Sequence, residues 1–142
     1  MLRRINNLLA ILALASSGSF ASVNIHTTET DEALYSAIIG TWVPDPKDRN
    51  AYPGTSTYKT DGTLIDVSYE TIKCVKPVIH ATATWTVKGG HLIIKVVSSN
   101  HFPVGMVSDD EIITVTKDRM ILRSNTGTLQ YRIKSDKCLP AE

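Results

Sequence analysis

The residue types that do chemistry in proteins are few and scattered in this chain. The four histidines stand far apart, at positions 26, 80, 91 and 101. Only His80 and His101 could approach each other, across the loop that links two predicted strands. Two imidazoles without a cysteine or a nearby acid make a poor ligand set for a metal ion. We therefore expect ordinary surface histidines and no metal site.

The carboxylates also lack a catalytic pattern. Residues 109–111 (Asp-Asp-Glu) form a compact acidic run at a strand start, without the spaced oxygens and glycine of a calcium loop. Asp66 and Glu70 would share the polar face of one strand about 13 Å apart, too wide for the usual glycosidase pair. The chain has no nucleophile-elbow motif and no phosphate-binding glycine loop. We therefore expect a protein that is not an enzyme and uses no cofactor.

The first 21 residues have the three-part pattern of a secretory signal. Arg3 and Arg4 precede an eight-residue apolar run at 8–15, and small residues at 19 and 21 lie three places before and immediately before a predicted cut at Ser22. A membrane anchor is the alternative, but a span needs about 20 apolar residues. No cysteine lies near the cut, which argues against a lipoprotein. We expect cleavage and a periplasmic or secreted product, and the short Arg-led signal looks bacterial.

Cleavage leaves one domain with no excess of basic charge. It removes 21 of 142 residues, and lowers the basic residues from 15 to 13 against 14 acidic ones, so the net charge changes from +1 to −1. Nucleic-acid binding depends on a surplus of Lys and Arg, so we expect no nucleic-acid partner. No stretch after the signal is apolar enough to span a membrane. About 120 residues can bury a core but leave no room for a second domain.

The two cysteines, Cys74 and Cys138, can form only one bond within the chain. They are too far apart in sequence to be a C-x-x-C dithiol, and an exported protein folds in an oxidising compartment. We therefore expect a structural disulfide between them. It would attach the C-terminal tail to the middle of the sheet.

Turn signals divide the chain into hairpins after a polar lead-in at 22–31 and one short helix at 32–39, with Thr30 or Asp31 as its N-cap. Asp61-Gly62 and Gly89-Gly90 are strong two-residue turn signals. A third turn is placed at 117–118 and a four-residue link at 125–128. The predicted cross-strand pairs are Tyr58 with Ile65, Trp85 with Ile94, Ile113 with Leu122, and Leu122 with Tyr131.

These turns predict eight strands, each joined to the next by a short link. The strands fall near 40–43, 55–60, 63–70, 78–88, 91–98, 110–117, 119–125 and 128–134. Apolar residues largely share one face of every hairpin, as period-two alternation requires. We predict an all-β fold, an eight-stranded antiparallel up-and-down barrel with a short N-terminal helix. Closure removes the exposed sheet edges, and a two-sheet sandwich is the alternative.

The first strand begins Gly40-Thr41-Trp42, and the last carries Arg132. A G-x-W at the start of strand one, with a basic residue on the final strand, resembles the lipocalin-like proteins of the calycin superfamily. The mature chain is shorter than typical extracellular lipocalins and closer in size to fatty-acid-binding proteins or avidin, and in general character it resembles the small bacterial exported lipocalin-like domains. The resemblance implies one lipocalin-like domain over 32–142. It also implies that the Trp42 ring closes one barrel end and that Arg132 packs across it.

The predicted interior combines small and large side chains. Ala81 and Ala83 are small where a filled barrel needs bulk, which indicates either a cavity or tight packing against large neighbours. The candidate ligand-binding residues of the barrel interior are Tyr58, Tyr69, Ala81, Ala83, Trp85, Val96, Met120 and Tyr131.

Two functions remain open at this point. The first is a carrier that holds a small apolar or amphipathic ligand in the barrel. The second is a module, of the inhibitor or immunity type, that binds another exported protein. It would act through the loops at 43–54 and 98–108, or through an outer face where Ile93 and Val97 lie among threonines.

Overall fold

The computed structural model describes residues 30–48 and 51–138. The predicted export signal, His26 and the lead-in up to residue 29 lie outside the described residues. The elements are α1 (Asp31–Ile38), β1 (Gly40–Pro44), β2 (Gly54–Tyr58), β3 (Thr63–Tyr69), β4 (Pro77–Lys88), β5 (His91–Ser99), β6 (Val107–Val115), β7 (Arg119–Arg123) and β8 (Leu129–Lys134). The strands pair antiparallel in chain order, and β1 also pairs with β8, so the sheet is a closed barrel. The predicted all-β barrel with one short helix is confirmed.

Helix α1 begins one residue earlier than predicted and closes one end of the barrel. The Oγ1 atom of Thr30 accepts a hydrogen bond from the Ala33 N–H at 3.2 Å, which is the usual role of an N-cap threonine. The Asp31 carboxylate accepts bonds from the N–H groups of Gly89 and Gly90 in the β4–β5 turn. These two bonds hold the pKa of Asp31 below its ordinary value. The helix is thus fixed to the sheet at its first turn.

The closed end contains the most completely buried side chains of the described residues. Leu34 and Ile38 of α1 enter the barrel, and the Trp42 Nε1–H donates to the Ile38 carbonyl at 2.6 Å. Tyr35 stacks on Trp85 with 4.1 Å between ring centroids. This cluster also includes Leu92 and Met120. The packing excludes solvent from this half of the barrel.

Lys134, rather than Arg132, packs across Trp42. The Lys134 Nζ atom lies 4.8 Å from the centroid of the Trp42 ring and donates to the carbonyls of Ala37 and Ile39. The reason is register, because Trp42 pairs with Lys134 across β1 and β8. Gly40 is required beside this contact, since its φ is +125° and an added Cβ would lie 3.3 Å from the Lys134 Cε atom.

The β4–β5 hairpin has the register that the Gly89-Gly90 turn predicts. Trp85 pairs with Ile94 and Ala83 with Val96. Both glycines have positive φ, as a two-residue hairpin turn of this kind requires. A bulge after Thr82 then shifts the pairing by one residue.

The β2–β3 hairpin differs from the prediction by one residue. Tyr58 pairs with Leu64 rather than Ile65, and Ser56 pairs with Asp66. The cause is a three-residue turn, in which the Lys59 N–H bonds to the Thr63 carbonyl and Gly62 has a φ of +81°. A one-residue slip exchanges the two faces of a strand. Asp66 therefore faces the barrel interior, and Ile65 is 37% exposed.

The predicted pairings of β7 with its neighbours are also corrected. Leu122 pairs with Ile112 rather than Ile113, because a bulge lies between Ile112 and Thr114. Leu122 pairs with Gln130 rather than Tyr131, because the β7–β8 link closes with a bond from the Ser124 N–H to the Thr128 carbonyl. Tyr131 is consequently on the outside and 39% exposed.

The structure joins Cys74 to Cys138, with 6.1 Å between their Cα atoms, so the predicted disulfide is confirmed. Cys74 lies in the β3–β4 loop, so the bond attaches the C-terminal tail to this loop rather than to the middle of the sheet. Among the described residues, none of the helices is long and apolar enough to cross a membrane.

Candidate functional site

The half of the barrel opposite α1 contains a cavity of about 470 Å³. An outer hollow of about 320 Å³ adjoins it at the barrel mouth, and Ser56, Asp66, Gln130 and Arg132 line both. The volume lies within the range of about 300–1,000 Å³ that is typical of small-molecule sites. The inner wall comprises Tyr58, Leu64, Ala81, Ala83, Ile94, Val96, Ser108, Asp110 and Leu122, together with the four shared residues.

One wall of the cavity is apolar, and it lies on the central β4–β5 hairpin. Ala81 and Ala83 of β4 are buried and leave space because their side chains are short. Ile94 and Val96 of β5 pair with Trp85 and Ala83, so their side chains face the same side of the sheet. The wall can contact an apolar group of a few carbon atoms.

Asp66 stands at one edge of this wall. It pairs with Ala81 across β3 and β4 and with Ser56 across β2 and β3. The Ser56 Oγ–H donates to Asp66 Oδ1 at 2.5 Å. This bond orients the carboxylate, and Oδ2 accepts no hydrogen bond from the described residues.

Asp110 of β6 stands at the other edge of the wall. It is only 8% exposed, and the Ser108 Oγ–H donates to its Oδ2 atom at 3.0 Å. Burial raises the pKa of the Asp110 carboxyl above its ordinary value, and neighbouring Asp109 acts in the same direction. The hydrogen bond from Ser108 and the charge of Arg132 oppose this increase. Asp110 is therefore a buried acid with little compensation for its charge.

Arg132 of β8 enters the cavity from a different wall. It pairs with Met120 across β7 and β8, and its Nη2–H donates to the Gln130 Oε1 atom at 3.1 Å. Tyr58 lines the same cavity and is influenced by all three charges. Burial raises the pKa of the Tyr58 hydroxyl, and the carboxylates of Asp66 and Asp110 add to the increase while Arg132 opposes it. With Asp109, five titratable side chains thus line one cavity.

These charged groups do not pair with one another. The ion pairs of the described residues are Lys76–Glu70, His91–Asp109 and Arg123–Glu111, all at the surface. The Tyr58 hydroxyl and Asp110 Oδ1 have no hydrogen-bond partner among the described residues. Every fully enclosed side-chain nitrogen and oxygen of those residues has a partner. It follows that both unpartnered atoms border the cavity.

The predicted interior residues divide into three groups. Tyr58, Ala81, Ala83 and Val96 line the cavity. Trp85 and Met120 are buried but belong to the core of the closed end. Tyr69 lines an outer hollow with Thr57 and Cys74. Tyr131 faces outward because of the β7–β8 register. The predicted interior placement of both tyrosines is therefore wrong.

The sequence prediction missed the polar half of the cavity, comprising Ser56, Asp66, Ser108, Asp110, Gln130 and Arg132. The signal for Asp110 is present in the sequence, since Ser108, Asp110 and Ile112 alternate with residues of the opposite face. The inward position of Asp66 was not predicted, because the β2–β3 turn is one residue longer than the sequence indicates. Arg132 was expected at the opposite end of the barrel, across Trp42.

Described residues of both long loops, 43–54 and 98–108, border the open half of the barrel. Pro44, Asp48, Ala51 and Tyr52 line the outer hollow, and Phe102 of the other long loop lines the cavity. Asp48 Oδ2 accepts a bond from the Tyr131 N–H at 3.1 Å, which attaches this loop to β8.

The histidines of the described part of the chain form no metal cluster. His91 Nδ1 lies 2.7 Å from Asp109 Oδ1 at the surface. His80 pairs with Val67 in the β3–β4 ladder, and the ring of His101 packs edge-on against Phe102. Within residues 30–48 and 51–138, no three His, Cys, Asp or Glu side chains are grouped closely enough to hold a metal ion.

A scan against models of known protein families finds no match, and a search of curated proteins finds no significant similarity. The geometry of the cavity is therefore the basis of the functional argument.

Proposed function

We propose that this protein is an exported, non-enzymatic binding protein that holds one small amphipathic molecule in the open half of its barrel. The observation that carries the proposal is the cavity of about 470 Å³, which has an apolar wall on β4–β5 and unpartnered polar atoms around it. An eight-stranded barrel is wide enough for one small ligand. The ligand is a molecule with an apolar body and a polar group.

The polar atoms favour an amphipathic ligand over a purely apolar one. A buried polar group without a hydrogen bond costs roughly 1–3 kcal/mol. Asp110 Oδ1 and the Tyr58 hydroxyl have no partner among the described residues, as shown above. A hydrocarbon would cover these atoms without bonding to them, whereas a polar group on the ligand would bond to them.

Two sequence features support the cellular part of the proposal. Residues 1–21 have the pattern of an export signal, and the Cys74–Cys138 disulfide suits an oxidising compartment. The closed barrel is compatible with the lipocalin-like resemblance at Gly40 and Trp42, a fold type in which the interior holds ligands.

The test compares two leucine substitutions on the same strand. Ala81→Leu places a larger side chain in the cavity, and Thr82→Leu adds the same side chain on the exposed outer face. The oxidised protein is titrated with 1-octanol in a calorimeter. We expect one saturable site in the wild type and in Thr82→Leu, and loss of binding in Ala81→Leu. Equal binding by both variants, or no binding by the wild type, would refute the proposal.

Binding of another exported protein is the second candidate function. It is favoured by exposed valines on the outer face of β5 and β6, where Val97 is 52% and Val107 56% exposed. Thr82 and Thr84 extend this face on β4. If Thr82→Leu abolishes capture of a partner from an extract of the exported fraction while Ala81→Leu does not, the outer face is the functional surface.

A further inference from the structure

We infer that the ligand carries a positively charged amine group, which lies between Asp66 and Asp110, on an apolar body that lies against the β4–β5 wall. This inference rests on the proposed function, because it names the chemical class of the molecule in the same cavity.

The first argument is the balance of charge around the cavity. Asp66, Asp109 and Asp110 contribute three carboxylates, and Arg132 contributes one guanidinium. When all three carboxylates are ionised, these groups have a net charge of −2, and only Asp109 has a basic partner, the His91 ring at the surface. The Nη2–H of Arg132 donates to Gln130, whereas no cation of the described residues pairs with Asp66 or Asp110. A cationic ligand would supply the missing positive charge.

The second argument is the pattern of hydrogen-bonding atoms. Asp66 Oδ2 and Asp110 Oδ1 are acceptors without a donor among the described residues. The Tyr58 hydroxyl, also unpartnered, can act as a third acceptor. An ammonium group has three donors and no acceptor. Of the five guanidinium donors of Arg132, one bonds to Gln130, but Arg132 stands on β8, away from the apolar wall. The unpartnered atoms beside the wall therefore match an amine better than a carboxylate, which would add further acceptors.

The third argument is the position of the carboxylates relative to the apolar wall. Asp66 is the direct cross-strand neighbour of Ala81 at one edge of the wall. Asp110 pairs with Leu92 of β5 at the other edge. Arg132 is on β8, away from the wall. A molecule whose chain lies along Ala81 and Ala83 would therefore bring its head group nearer to the carboxylates than to the guanidinium.

The experiment uses three probes with the same eight-carbon chain. Octylamine, 1-octanol and octanoate are titrated into the oxidised protein at pH 7, where a free amine is protonated and a free carboxylate is ionised. A hydrogen bond to a charged group contributes enough to change affinity about tenfold or more. We expect octylamine to bind at least about tenfold more tightly than octanol, and octanoate to bind more weakly than octanol.

Two variants locate the effect, with a matched control. Asp110→Asn and Asp66→Asn each remove one negative charge with little change of shape, and each should lower the preference for octylamine over octanol. Glu111→Gln is the control, because Glu111 is adjacent in sequence but pairs with Arg123 at the surface. We expect Glu111→Gln to keep the wild-type preference.

The outcomes separate this inference from the proposed function. If octanol and octanoate bind but octylamine has no advantage, the inference is wrong and the proposed function stands. If octanoate binds most tightly, Arg132 is the recognition group and the inference is again wrong. If none of the probes binds, the proposed function fails as well. Retention of the amine preference in both aspartate variants would also overturn the inference.

Discussion

The two ends of the barrel use the same strands in opposite ways. At the α1 end, Trp42 and Ile38 are fully buried, and the Trp42 N–H bonds to a carbonyl. At the other end, Asp110 is almost as buried, yet one of its carboxylate oxygens has no partner among the described residues. The first end is arranged for stability. The second end keeps polar atoms that bond to no described residue and that border the cavity, where a ligand can reach them.

The two basic residues of β8 show this contrast within three positions. Lys134 packs on Trp42 and donates to two main-chain carbonyls, and burial lowers its pKa. Arg132 faces the cavity and donates to a single side chain, Gln130. Both point inward because they are two residues apart on one strand. Their different surroundings give them different roles, one structural and one available to a ligand.

The largest expected effect is at the closed end. Trp42→Ala should destabilise the protein by about 3–5 kcal/mol, the range for removing a large buried aromatic side chain, or prevent folding. Phe102→Ala, at the cavity, should cost less because Phe102 is only partly buried. Urea denaturation of both variants measures the difference. An equal loss of stability would show that the two ends do not differ as described.

An intermediate effect is expected from the two basic residues of β8. Lys134→Met keeps the aliphatic stem but removes the charged donor to two carbonyls, and we expect a loss of about 1–3 kcal/mol. Arg132→Met should change stability less, since its one side-chain bond goes to a partly buried amide, even though the variant also removes the charge that opposes the raised pKa of Asp110. Denaturation midpoints at neutral pH check this order. The reverse order would mean that Arg132, not Lys134, has the structural role.

The smallest expected effect is a gain in stability from Asp110→Asn that depends on pH. The pKa of Asp110 is higher in the folded protein than the ordinary value of 3.8. Between these two pKa values the folded state binds more protons than the unfolded state, so stability falls as pH rises through that window. Asp110→Asn has no carboxyl at this position, so its stability does not fall over this pH window. It should be at least as stable as the wild type at pH 7, and its advantage should shrink toward pH 4.

The measurement is urea denaturation of both proteins at pH 7 and pH 4. Asp109 and Arg132 are the charged groups that act on Asp110, with opposite signs, so Glu111→Gln again serves as the control that leaves them unchanged. An Asp110→Asn variant that is clearly less stable than the wild type at pH 7 would contradict our description of a poorly compensated buried acid.

The sequence was sufficient to predict the eight strands and the helix, because turns and alternation are local signals. It was sufficient to predict the disulfide because the chain has only two cysteines. The Gly89-Gly90 turn even predicted register, since two adjacent glycines with positive φ specify a two-residue turn. The candidate site was predicted only in its apolar part. Ala81, Ala83 and Val96 belong to that one well-specified hairpin.

Alternation along β6 could have placed Asp110, but Asp66 and Arg132 could not be predicted, because their positions depend on turn lengths that the sequence specifies poorly. Asp61-Gly62 fits a two-residue turn as well as the three-residue turn that forms. The difference of one residue decides whether Asp66 faces solvent or the cavity. The β7–β8 link has the same effect on Tyr131 and Arg132. Bulges at Thr82 and Ile112 add shifts that no turn residue signals.

The most direct test of the central claim is a map of where a bound ligand acts. Amide NMR spectra of the oxidised protein are recorded during titration with octylamine. We predict shifts concentrated in the open half, at Ala81, Ser108, Asp110 and Gln130, with little change at Leu34, Ile38 and Trp42. Shifts confined to the outer face, such as Thr84 and Val97, or centred on the α1 end would contradict the claim that the open half of the barrel is the binding site.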